Sequence, residues 1–567
     1  MARRVDPITL EVVNNALVGV AEQMAATILR TSYSTVIREM LDYSTAVFDL
    51  EGRIIAQSCR IPIHLNSMSR SLRTTLDEAV PIEEWKPGDI IITNDPYKGG
   101  QHLPDVQTFL PVFAGDELVA ICGTLGHHLD VGGMRPGSYA GDATEIYQEG
   151  LRIPAIKLFE EGVMNARLFA MIEANIRQPD MTIGDLRAQT AALEIGRDGV
   201  LELIERYGSD VFMDCMREAT EVSEARLREK ISELPDGTFE GVYFVDDDGV
   251  IDEPIKIVTK ITIDGGSIHI DLTGTDKQRR SPINATISSC ESAIYFAILS
   301  ILDPTIPANY GVYRPIEITA PEGTVVNAMP PAPVVGRNAI THTIVNALTM
   351  ALSKVVPERI TAGYYGMSNV YILAGDGNGD DRRGWIFFDI EVGGGGGRPT
   401  KDGLDCYSQG IHNLANTPIE MVEATYPLRF TRYEFLPDTG GVGQYRGGMG
   451  VRREIEFLDE SGSLNTQFDK FKVEPFGLFG GGPGATGRMM LNPDEADAVN
   501  LHSKTVNQAL KKGDIFSMWT QGGGGYGPVT ARDQAAIDKD LRQGKVTAEA
   551  ARAAYSVEAH DMEPGGS

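Results

Sequence analysis

The amino-acid sequence predicts an α+β protein of several domains, with mixed sheets, glycine-rich loops and flanking helices. The chain has 567 residues, whereas single hydrophobic cores stop growing at about 250–300 residues. Segments with apolar residues three and four apart alternate with segments of β-branched and polar residues in turn, so both helices and strands are expected. The 62 glycines predict many tight turns and close backbone approaches.

Charge and composition exclude several classes of partner. The chain carries 51 Lys and Arg against 79 Asp and Glu, a formal net charge of -28, and a surface this acidic disfavours nucleic acid and anionic membranes. No apolar run approaches the roughly 20 residues that span a bilayer, and no signal peptide is recognised. Five widely spaced cysteines predict neither disulfides nor a cysteine zinc site. We therefore expect a reduced, cytoplasmic protein.

The first predicted domain, residues 1–235, is an α/β metal-binding domain. Pro7 suits the first turn of a helix over residues 7–35. Two hairpins are expected, with turns at 49–52 and 115–116. The other predicted elements are a helix within 63–80, a strand within 85–96 and two or three helices within 179–234.

Three further regions follow at changes in composition. Residues 236–365 are predicted to begin as a β-meander with Asp-Gly turns and to continue with helices at 292–302 and 339–355. Residues 366–530 combine strands with glycine loops. Residues 531–567 form an amphipathic C-terminal helix and a tail.

Histidines and carboxylates concentrate in two neighbouring segments, although the chain has only 9 histidines. His102 and Asp105 are three residues apart, where Pro104 and the preceding glycines favour a loop. His127 and His128 close the next strand. Because adjacent strand residues point to opposite faces, only one of the two should join His102. Two histidines and one carboxylate leave open coordination positions, which suits catalytic zinc, manganese or iron(II).

Three other carboxylates are candidates for roles around this cluster. Asp42, just before the first hairpin, is a candidate for a further oxygen ligand. Asp95 and Asp130 are candidates for orienting the imidazoles or for acting as general base. On spacing alone, loop residues that hydrogen-bond to one another are favoured over a metal site. The glycines and strands that flank both histidine segments favour the metal.

The other histidines are expected to be solitary. His342 is interpreted as a hydrogen-bonded helix residue and His269 as an exposed strand residue. His64 and His412 lie in predicted loops, where a core or surface role is favoured over a place in a cavity wall.

The sequence contains only incomplete nucleotide-binding motifs. Residues 482–488 have the glycine spacing of a phosphate loop, but Arg488 and Met489 stand where lysine and Ser/Thr are required. The glycines at 393–397 could present backbone amides to an anion. A loop packed against a partner, or a flexible lid, is the slightly favoured interpretation.

Seven motifs, in order, resemble the hydantoinase B/oxoprolinase family over almost the whole chain. They are DPITLEV, LDYSTAVFDLEGRIIAQ, IPIHLNSM, KPGDIIITNDPYKGGQHLPD, GHHLDVGG, DLRAQTAA and GGGGYG. The resemblance implies a B-type subunit that works with a hydantoinase A-type subunit, which has an actin-like ATPase fold and binds ATP-Mg. It also implies a metal held by Asp42, His102, Asp105 and His127, with zinc expected first and manganese next. A heterodimer or a dimer of heterodimers is the implied assembly.

The resemblance implies one of two reactions, which the motifs do not separate. The first is hydrolysis of a cyclic amide, of the 5-oxoprolinase, N-methylhydantoinase or caprolactamase type, after the partner phosphorylates the amide oxygen. The alternative is ATP-dependent carboxylation of a ketone such as acetone or acetophenone. A non-catalytic scaffold for the ATPase partner and an iron(II) oxygenase are the other readings that stay open.

Overall fold

The computed structural model describes residues 5–58, 60–64, 66–376, 384–496 and 498–555. Within these ranges, helices mix with four sheets of seven, four, four and five strands. The prediction of a multidomain α+β fold with mixed sheets is thereby confirmed.

The N-terminal part is a seven-stranded antiparallel sheet with helices around it. Its helices are α1 (Pro7–Thr31), α2 (Thr35–Arg38), α3 (Ser67–Glu78), α4 (Ala166–Ala174), α5 (Pro179–Tyr207) and α6 (Ser209–Ser232). Its strands are β1 (Tyr43–Phe48), β2 (Ile54–Gln57), β3 (Ile90–Thr93), β4 (Asp105–Ala114), β5 (Glu117–His127), β6 (Ile156–Glu160) and β7 (Val163–Met164). The strand order is β2-β1-β5-β4-β3-β6-β7. Both predicted hairpins, β1-β2 and β4-β5, are present.

Helix α1 is shorter than the predicted span of 7–35. Asp6 caps its start, where the carboxylate accepts a hydrogen bond from the backbone N–H of Thr9 at 2.9 Å. The helix ends before Ser32, where the backbone becomes extended. The Asp185 carboxylate accepts hydrogen bonds from the next two backbone N–H groups, and these contacts separate α1 from α2.

By length and composition alone, α1 is apolar enough to cross a membrane, whereas no membrane span is predicted from the sequence. In the structure, one face of α1, from Leu10 to Ile28, is buried. This face packs against α5, β1 and β2 within one apolar core. Because core helices of folded domains pass the same length and composition test, the buried face identifies α1 as a core helix of the N-terminal part.

The middle part contains a second sheet and two helices. Its elements are β8 (Gly237–Val245), β9 (Ile255–Asp264), β10 (Ser267–Asp271), α7 (Ile287–Leu302), β11 (Ile316–Thr319) and α8 (Asn338–Leu352). The strand order β11-β10-β9-β8 confirms the predicted meander. Helix α8 lies so close to β8 that a Cβ at Gly241 would be 1.9 Å from the carbonyl oxygen of Ala347, so only glycine fits there.

The C-terminal part contains two sheets, whose strand orders are β13-β12-β16-β19 and β14-β15-β20-β17-β18. These strands are β12 (Asn369–Gly375), β13 (Trp385–Glu391), β14 (Leu428–Phe435), β15 (Val451–Phe457), β16 (Ser461–Gln467), β17 (Arg488–Leu491), β18 (Val499–Leu501), β19 (Gln508–Lys511) and β20 (Ile515–Trp519). The helices are α9 (Ile419–Thr425), α10 (Gln534–Arg542) and α11 (Ala548–Tyr555). The single helix predicted near the C-terminus is therefore two helices, separated by a turn at Gly544 with a φ of 65°. The predicted tail after residue 555 lies outside the described residues.

The glycine-rich loops of the C-terminal part pack against one another, backbone to backbone. The N–H of Gly394 donates to the carbonyl oxygen of Gln521 at 2.8 Å, and the N–H of Gly448 donates to that of Gly395 at 2.7 Å. A Cβ at Gly394 would lie 2.0 Å from the carbonyl oxygen of Gly448. The 393–397 loop is buried and packs inside its own chain. This finding corrects the interpretation as a loop packed against a partner or a flexible lid, and also the interpretation as an anion site.

The incomplete phosphate loop at 482–488 is a similar case. Its backbone N–H groups at Gly482, Gly484 and Gly487 donate hydrogen bonds to carbonyl oxygens of neighbouring segments, at 2.7–3.0 Å. A phosphate would find these donors already occupied. The segment therefore acts as a structural loop.

The apolar cores cross the predicted domain boundaries at 235 and 365. One core contains Phe109 of β4 together with Ile261 of β9 and Ile411. Another joins Val334 to residues of α1. The four-domain division therefore stays a prediction.

The structure describes four of the five cysteines. Cys122, Cys215, Cys290 and Cys406 are free. Cys59 lies outside the described residues.

Arg453 joins the two C-terminal sheets from a buried position. From β15, its guanidinium donates hydrogen bonds to Asp389 at 3.1 Å and to Glu391 at 2.9 Å, both on β13 of the other sheet. All three side chains are at most 1% exposed. Burial raises the pKa of both acids, and the charge of Arg453 opposes this shift.

We expect Arg453→Met to destabilise the C-terminal part, because two buried carboxylates would lose their cation. Breaking a buried ion pair costs about 3–5 kcal/mol of unfolding free energy. Arg429→Met is the matched control, since Arg429 lies on the neighbouring strand, pairs with Glu456 at 3.2 Å and is 60% exposed. Exposed pairs contribute roughly 0–1 kcal/mol. Urea unfolding followed by circular dichroism measures both variants, and equal midpoint shifts would contradict the expectation.

Candidate metal centre

The β4-β5 hairpin brings Asp105 and His127 side by side. Asp105 is the first residue of β4, His127 is the last residue of β5, and the antiparallel register pairs them directly. His102 precedes β4 in a turn in which the N–H of Asp105 donates to the His102 carbonyl oxygen at 3.1 Å. Two segments that are separate in the sequence therefore converge at one end of the sheet.

The three side chains form a compact and buried cluster. One donor atom each of His102, Asp105 and His127 lies within 4.8 Å of the other two. His102 Nε2 is 3.1 Å from Asp105 Oδ1, and the two imidazole centroids are 4.9 Å apart. The exposed fractions are 1%, 0% and 3%, so little of the cluster meets bulk water.

Burial and charge set the protonation states that a cation requires. Burial lowers the pKa of both imidazoles, so His102 and His127 are neutral. Burial alone would raise the pKa of Asp105, but the charge of the Arg337 guanidinium 3.0 Å away opposes this effect, and that pKa lies well below its usual range. Neutral imidazoles and an ionised carboxylate are the forms that bind a divalent metal.

Several donor atoms of the cluster have no hydrogen-bond partner among the residues that the structure describes. They are His102 Nδ1 and His127 Nδ1, and also His102 Nε2 and Asp105 Oδ1, which are 3.1 Å apart but do not have hydrogen-bond geometry. An unpaired buried polar group costs about 1–3 kcal/mol, and buried polar groups are therefore nearly always paired. Imidazole nitrogens and carboxylate oxygens are also common ligands of zinc. These residues fit a metal centre.

Asp42 lies on the wall of the adjoining cavity. Its Oδ1 is 3.7 Å from His64 Nε2, and its carbonyl oxygen accepts a hydrogen bond from the N–H of His127 at 3.0 Å. Burial and the nearby Asp105 raise the pKa of Asp42 to about 8. A cation near both carboxylates would favour their ionised forms. The role of Asp42 as a further ligand stays a prediction.

His128 points to the opposite face of β5 from His127. Its Nε2 is 2.9 Å from Oε1 of Gln189 on α5. The structure thus brings only His127 toward His102, as the alternation of side chains along a strand predicts.

The structure brings neither Asp95 nor Asp130 to the cluster. Asp95 accepts a hydrogen bond from the N–H of Tyr97 and pairs with Arg152 at 2.7 Å. Asp130 pairs with Arg177 at 3.0 Å and accepts hydrogen bonds from three backbone N–H groups. Both carboxylates hold loops in place, so the geometry gives no support to the predicted roles as general base or imidazole partner.

Side chains from distant parts of the chain complete a cavity beside the cluster. His64 and His412 line it, contrary to the core or surface role that the sequence favours. Arg337 lines it too, and donates hydrogen bonds to Asp105 at 3.0 Å and to Gln101 at 3.1 Å. No local spacing links these residues to the histidine segments, so the sequence carries no signal for them.

The sequence is similar to proteins of known family along nearly its whole length. A family model described as Hydantoinase B/oxoprolinase matches residues 6–529. The B-type subunit of a putative D-/L-hydantoinase from Pseudomonas sp. (strain NS671) is 36% identical, over 99% of this chain and 96% of that protein. The beta subunit of the caprolactamase from Pseudomonas jessenii is 32% identical, over 98% of this chain and 96% of that protein.

Two solved structures share the fold. The ATP-dependent caprolactamase from Pseudomonas jessenii matches with a TM-score of 0.90 and 30% identity, over 98% of this chain and 97% of that chain. The nucleotide-free structure of acetone carboxylase matches with a TM-score of 0.91 and 20% identity, over 99% of this chain and 81% of that chain. At 20% identity the second match shows the fold alone.

We expect the purified chain to bind a divalent metal and to lose it when either cluster histidine is replaced. His102→Ala and His127→Ala each remove a donor atom from the buried cluster. His128→Ala is the matched control, because His128 lies next in sequence but faces away, and Gln189 keeps its hydrogen bonds to β4 and β5 in this variant. Metal content is measured by inductively coupled plasma mass spectrometry, and stoichiometric metal in both cluster variants would show that the metal binds elsewhere.

A chelator provides an independent readout of the same site. Because a ligand that binds only the folded state stabilises it, metal removal should lower the melting temperature of the wild type and of His128→Ala. The cluster variants should show no further decrease. An equal decrease in all four proteins would contradict the assignment.

Proposed function

Because this chain belongs to the hydantoinase B/oxoprolinase family, we propose that it is the metal-binding subunit of an ATP-dependent hydrolase that opens a cyclic amide, a hydantoin or a lactam. Its partner would be a hydantoinase A-type subunit with an actin-like ATPase fold, in a cytoplasmic heterodimer or dimer of heterodimers. The observation that carries the proposal is the buried cluster of His102, Asp105 and His127, with donor atoms unpaired within the described part of the chain. The names of its relatives, caprolactamase and hydantoinase subunits, support the substrate class.

The chemistry of amides explains why the partner would phosphorylate the substrate before this chain acts on it. An unstrained cyclic amide resists water because its nitrogen donates electrons into the carbonyl group. Phosphorylation of the amide oxygen by the partner, at the expense of ATP, would make that carbon a better electrophile. ATP is assigned to the partner because the segment at 482–488, which has the glycine spacing of a phosphate loop, uses its amides within the chain.

His102, Asp105 and His127 would hold the metal, with Asp42 as a further oxygen ligand. Zinc is expected first and manganese next, because both accept nitrogen and oxygen ligands. A divalent metal at this position would supply Lewis acidity, which lowers the pKa of bound water to about 7.

Arg337 has two roles in this proposal. It pairs with Asp105 at 3.0 Å and so keeps that carboxylate ionised. Its Nη1 has no hydrogen-bond partner in the described ranges, and the side chain lines the cavity. This N–H group would therefore be free to donate to an anionic oxygen of the phosphorylated substrate.

The test is turnover by the chain purified together with its A-type subunit. A panel of hydantoin, 5-oxoproline and caprolactam is supplied with ATP and magnesium, and ring-opened product is measured by mass spectrometry. We expect ATP-dependent opening of one of these rings and its loss in His127→Ala, because removal of a ligand empties the metal site. His269→Ala, on β10 of the second sheet, is the control that should retain activity.

Two other outcomes would contradict the hydrolase proposal. Consumption of acetone or acetophenone that depends on bicarbonate, with no ring opening, would identify a ketone carboxylase. ATP hydrolysis by the partner that needs this chain but is unaffected by His102→Ala and His127→Ala would identify a non-catalytic scaffold.

A further inference from the structure

A chain of buried hydrogen bonds leads into the protein from the wall of the cavity. Ser368 and His412 both line the cavity, and Ser368 Oγ is hydrogen-bonded to His412 Nε2. His412 Nε2 is also 3.0 Å from Nε2 of His342 on α8. Behind the imidazoles, His412 Nδ1 lies 3.1 Å from the Tyr365 hydroxyl, and His342 Nδ1 lies 2.6 Å from the Tyr364 hydroxyl.

Both imidazoles are neutral in this environment. Burial lowers the pKa of His412 to about 3 and holds that of His342 well below its usual range. A neutral imidazole has one N–H group and one lone pair. The lone pair of His412 at Nε2 can therefore accept the hydrogen bond of the Ser368 hydroxyl, while its Nδ1–H donates to the Tyr365 hydroxyl, which in turn lies 3.4 Å from the carbonyl oxygen of Gln409.

Opening of a cyclic amide under the proposed function, on which this inference rests, needs a proton donor at one step. Addition of water to the phosphorylated amide gives a tetrahedral carbon that carries a hydroxyl group, a phosphoryl oxygen and the ring nitrogen. Cleavage of the C–O bond to phosphate would return the intact ring and consume ATP without product. Cleavage of the C–N bond opens the ring, but an amine departs readily only when its nitrogen gains a proton.

We propose that Ser368 and His412 deliver this proton to the departing ring nitrogen. Water bonds to the carbon through its oxygen, and its first proton joins the nitrogen as the C=N bond becomes a single bond. The second proton leaves the resulting hydroxyl group and passes through Ser368 Oγ and His412 Nε2 to the nitrogen. The C–N electron pair departs with the nitrogen, a C=O bond forms, and the product is an amino acyl phosphate that a second water hydrolyses.

The tyrosines and His342 act through His412 and are positioning residues. The Tyr365 hydroxyl faces Nδ1 of His412 and fixes which imidazole nitrogen faces Ser368. A nucleophile or acid held by a base, with a third group that orients the base, is the arrangement that proton transfer in active sites requires. The contribution of such proton transfer is typically about 10²–10⁴-fold in rate.

The experiment measures the phosphate-to-product ratio, which is the number of phosphates released from ATP for each ring opened. The complex of this chain with its A-type subunit is used, with the ring that the wild type opens. In Ser368→Ala and His412→Gln, ring opening should fall by about 100-fold or more. Phosphate release should fall less, because the phosphorylated amide still reverts, so the ratio should rise at least about tenfold.

Three controls separate proton delivery from a general loss of structure. Bound metal should equal that of the wild type in every variant. His269→Gln, whose histidine contacts Thr319 at 2.8 Å on the second sheet, should leave the ratio unchanged. Ser368→Thr keeps the hydroxyl group and should have a ratio close to that of the wild type.

Tyr365→Phe removes one hydroxyl group from a buried ring and provides a milder variant, for which we expect an intermediate rise in the ratio. A wild-type phosphate-to-product ratio in Ser368→Ala, His412→Gln and Tyr365→Phe would overturn this inference and leave the hydrolase proposal intact. If the wild-type complex opens no cyclic amide, the proposed function fails and this inference fails with it.

Discussion

The register of the β4-β5 hairpin is the constraint on which the candidate metal centre depends. It pairs Asp105 with His127, and a slip of one residue would present His128 in place of His127. Helix α5 holds this register from the other face of the sheet. The amide of Gln189 contacts His128, donates to the carbonyl oxygen of Val106 on β4 and also contacts β5. One buried side chain thus ties both strands together directly behind the cluster.

The charge balance of the cluster depends on packing between parts of the chain. Asp105 belongs to the N-terminal sheet, whereas Arg337, which pairs with it, directly precedes α8. The loop before Arg337 is held by Glu149, whose carboxylate accepts hydrogen bonds from the backbone N–H groups of Val334 and Val335 at 2.8 Å each. An apolar core that spans the N-terminal and middle parts packs these segments against each other. The ionised state of Asp105 is therefore a property of the assembled protein.

The glycine loops position residues on another part of the cavity wall. The N–H of Tyr365 donates to the carbonyl oxygen of Gly394 at 3.0 Å, so the loop packing fixes the tyrosine that faces His412. Close backbone approach between Gly394 and Gly448 leaves no room for a Cβ. A rigid layer of backbone hydrogen bonds thus supports the residues that line the cavity.

Much of the fold and part of the site can be predicted from local pattern. The two hairpins, the meander and the long helices follow from alternation and helical spacing, because both depend on neighbours within a few residues. The ends of elements are less predictable. Helix α1 stops early because Asp185, far away in the sequence, takes the next backbone N–H groups, and the C-terminal helix divides at Gly544.

By itself, the sequence determined the hairpin that carries Asp105 and His127 and the expectation that only one of His127 and His128 joins His102, because each rests on residues close together in the chain. The family resemblance, which extends over almost the whole chain, implied that this histidine is His127. Only the tertiary structure decided the rest. It placed Arg337 and His412 in the cavity wall, since no local spacing records contacts between distant segments. It also showed that the carboxylates of Asp95 and Asp130 pair with arginines. The glycine loops pack against one another inside the chain. Both results depend on contacts that exist only in the folded chain.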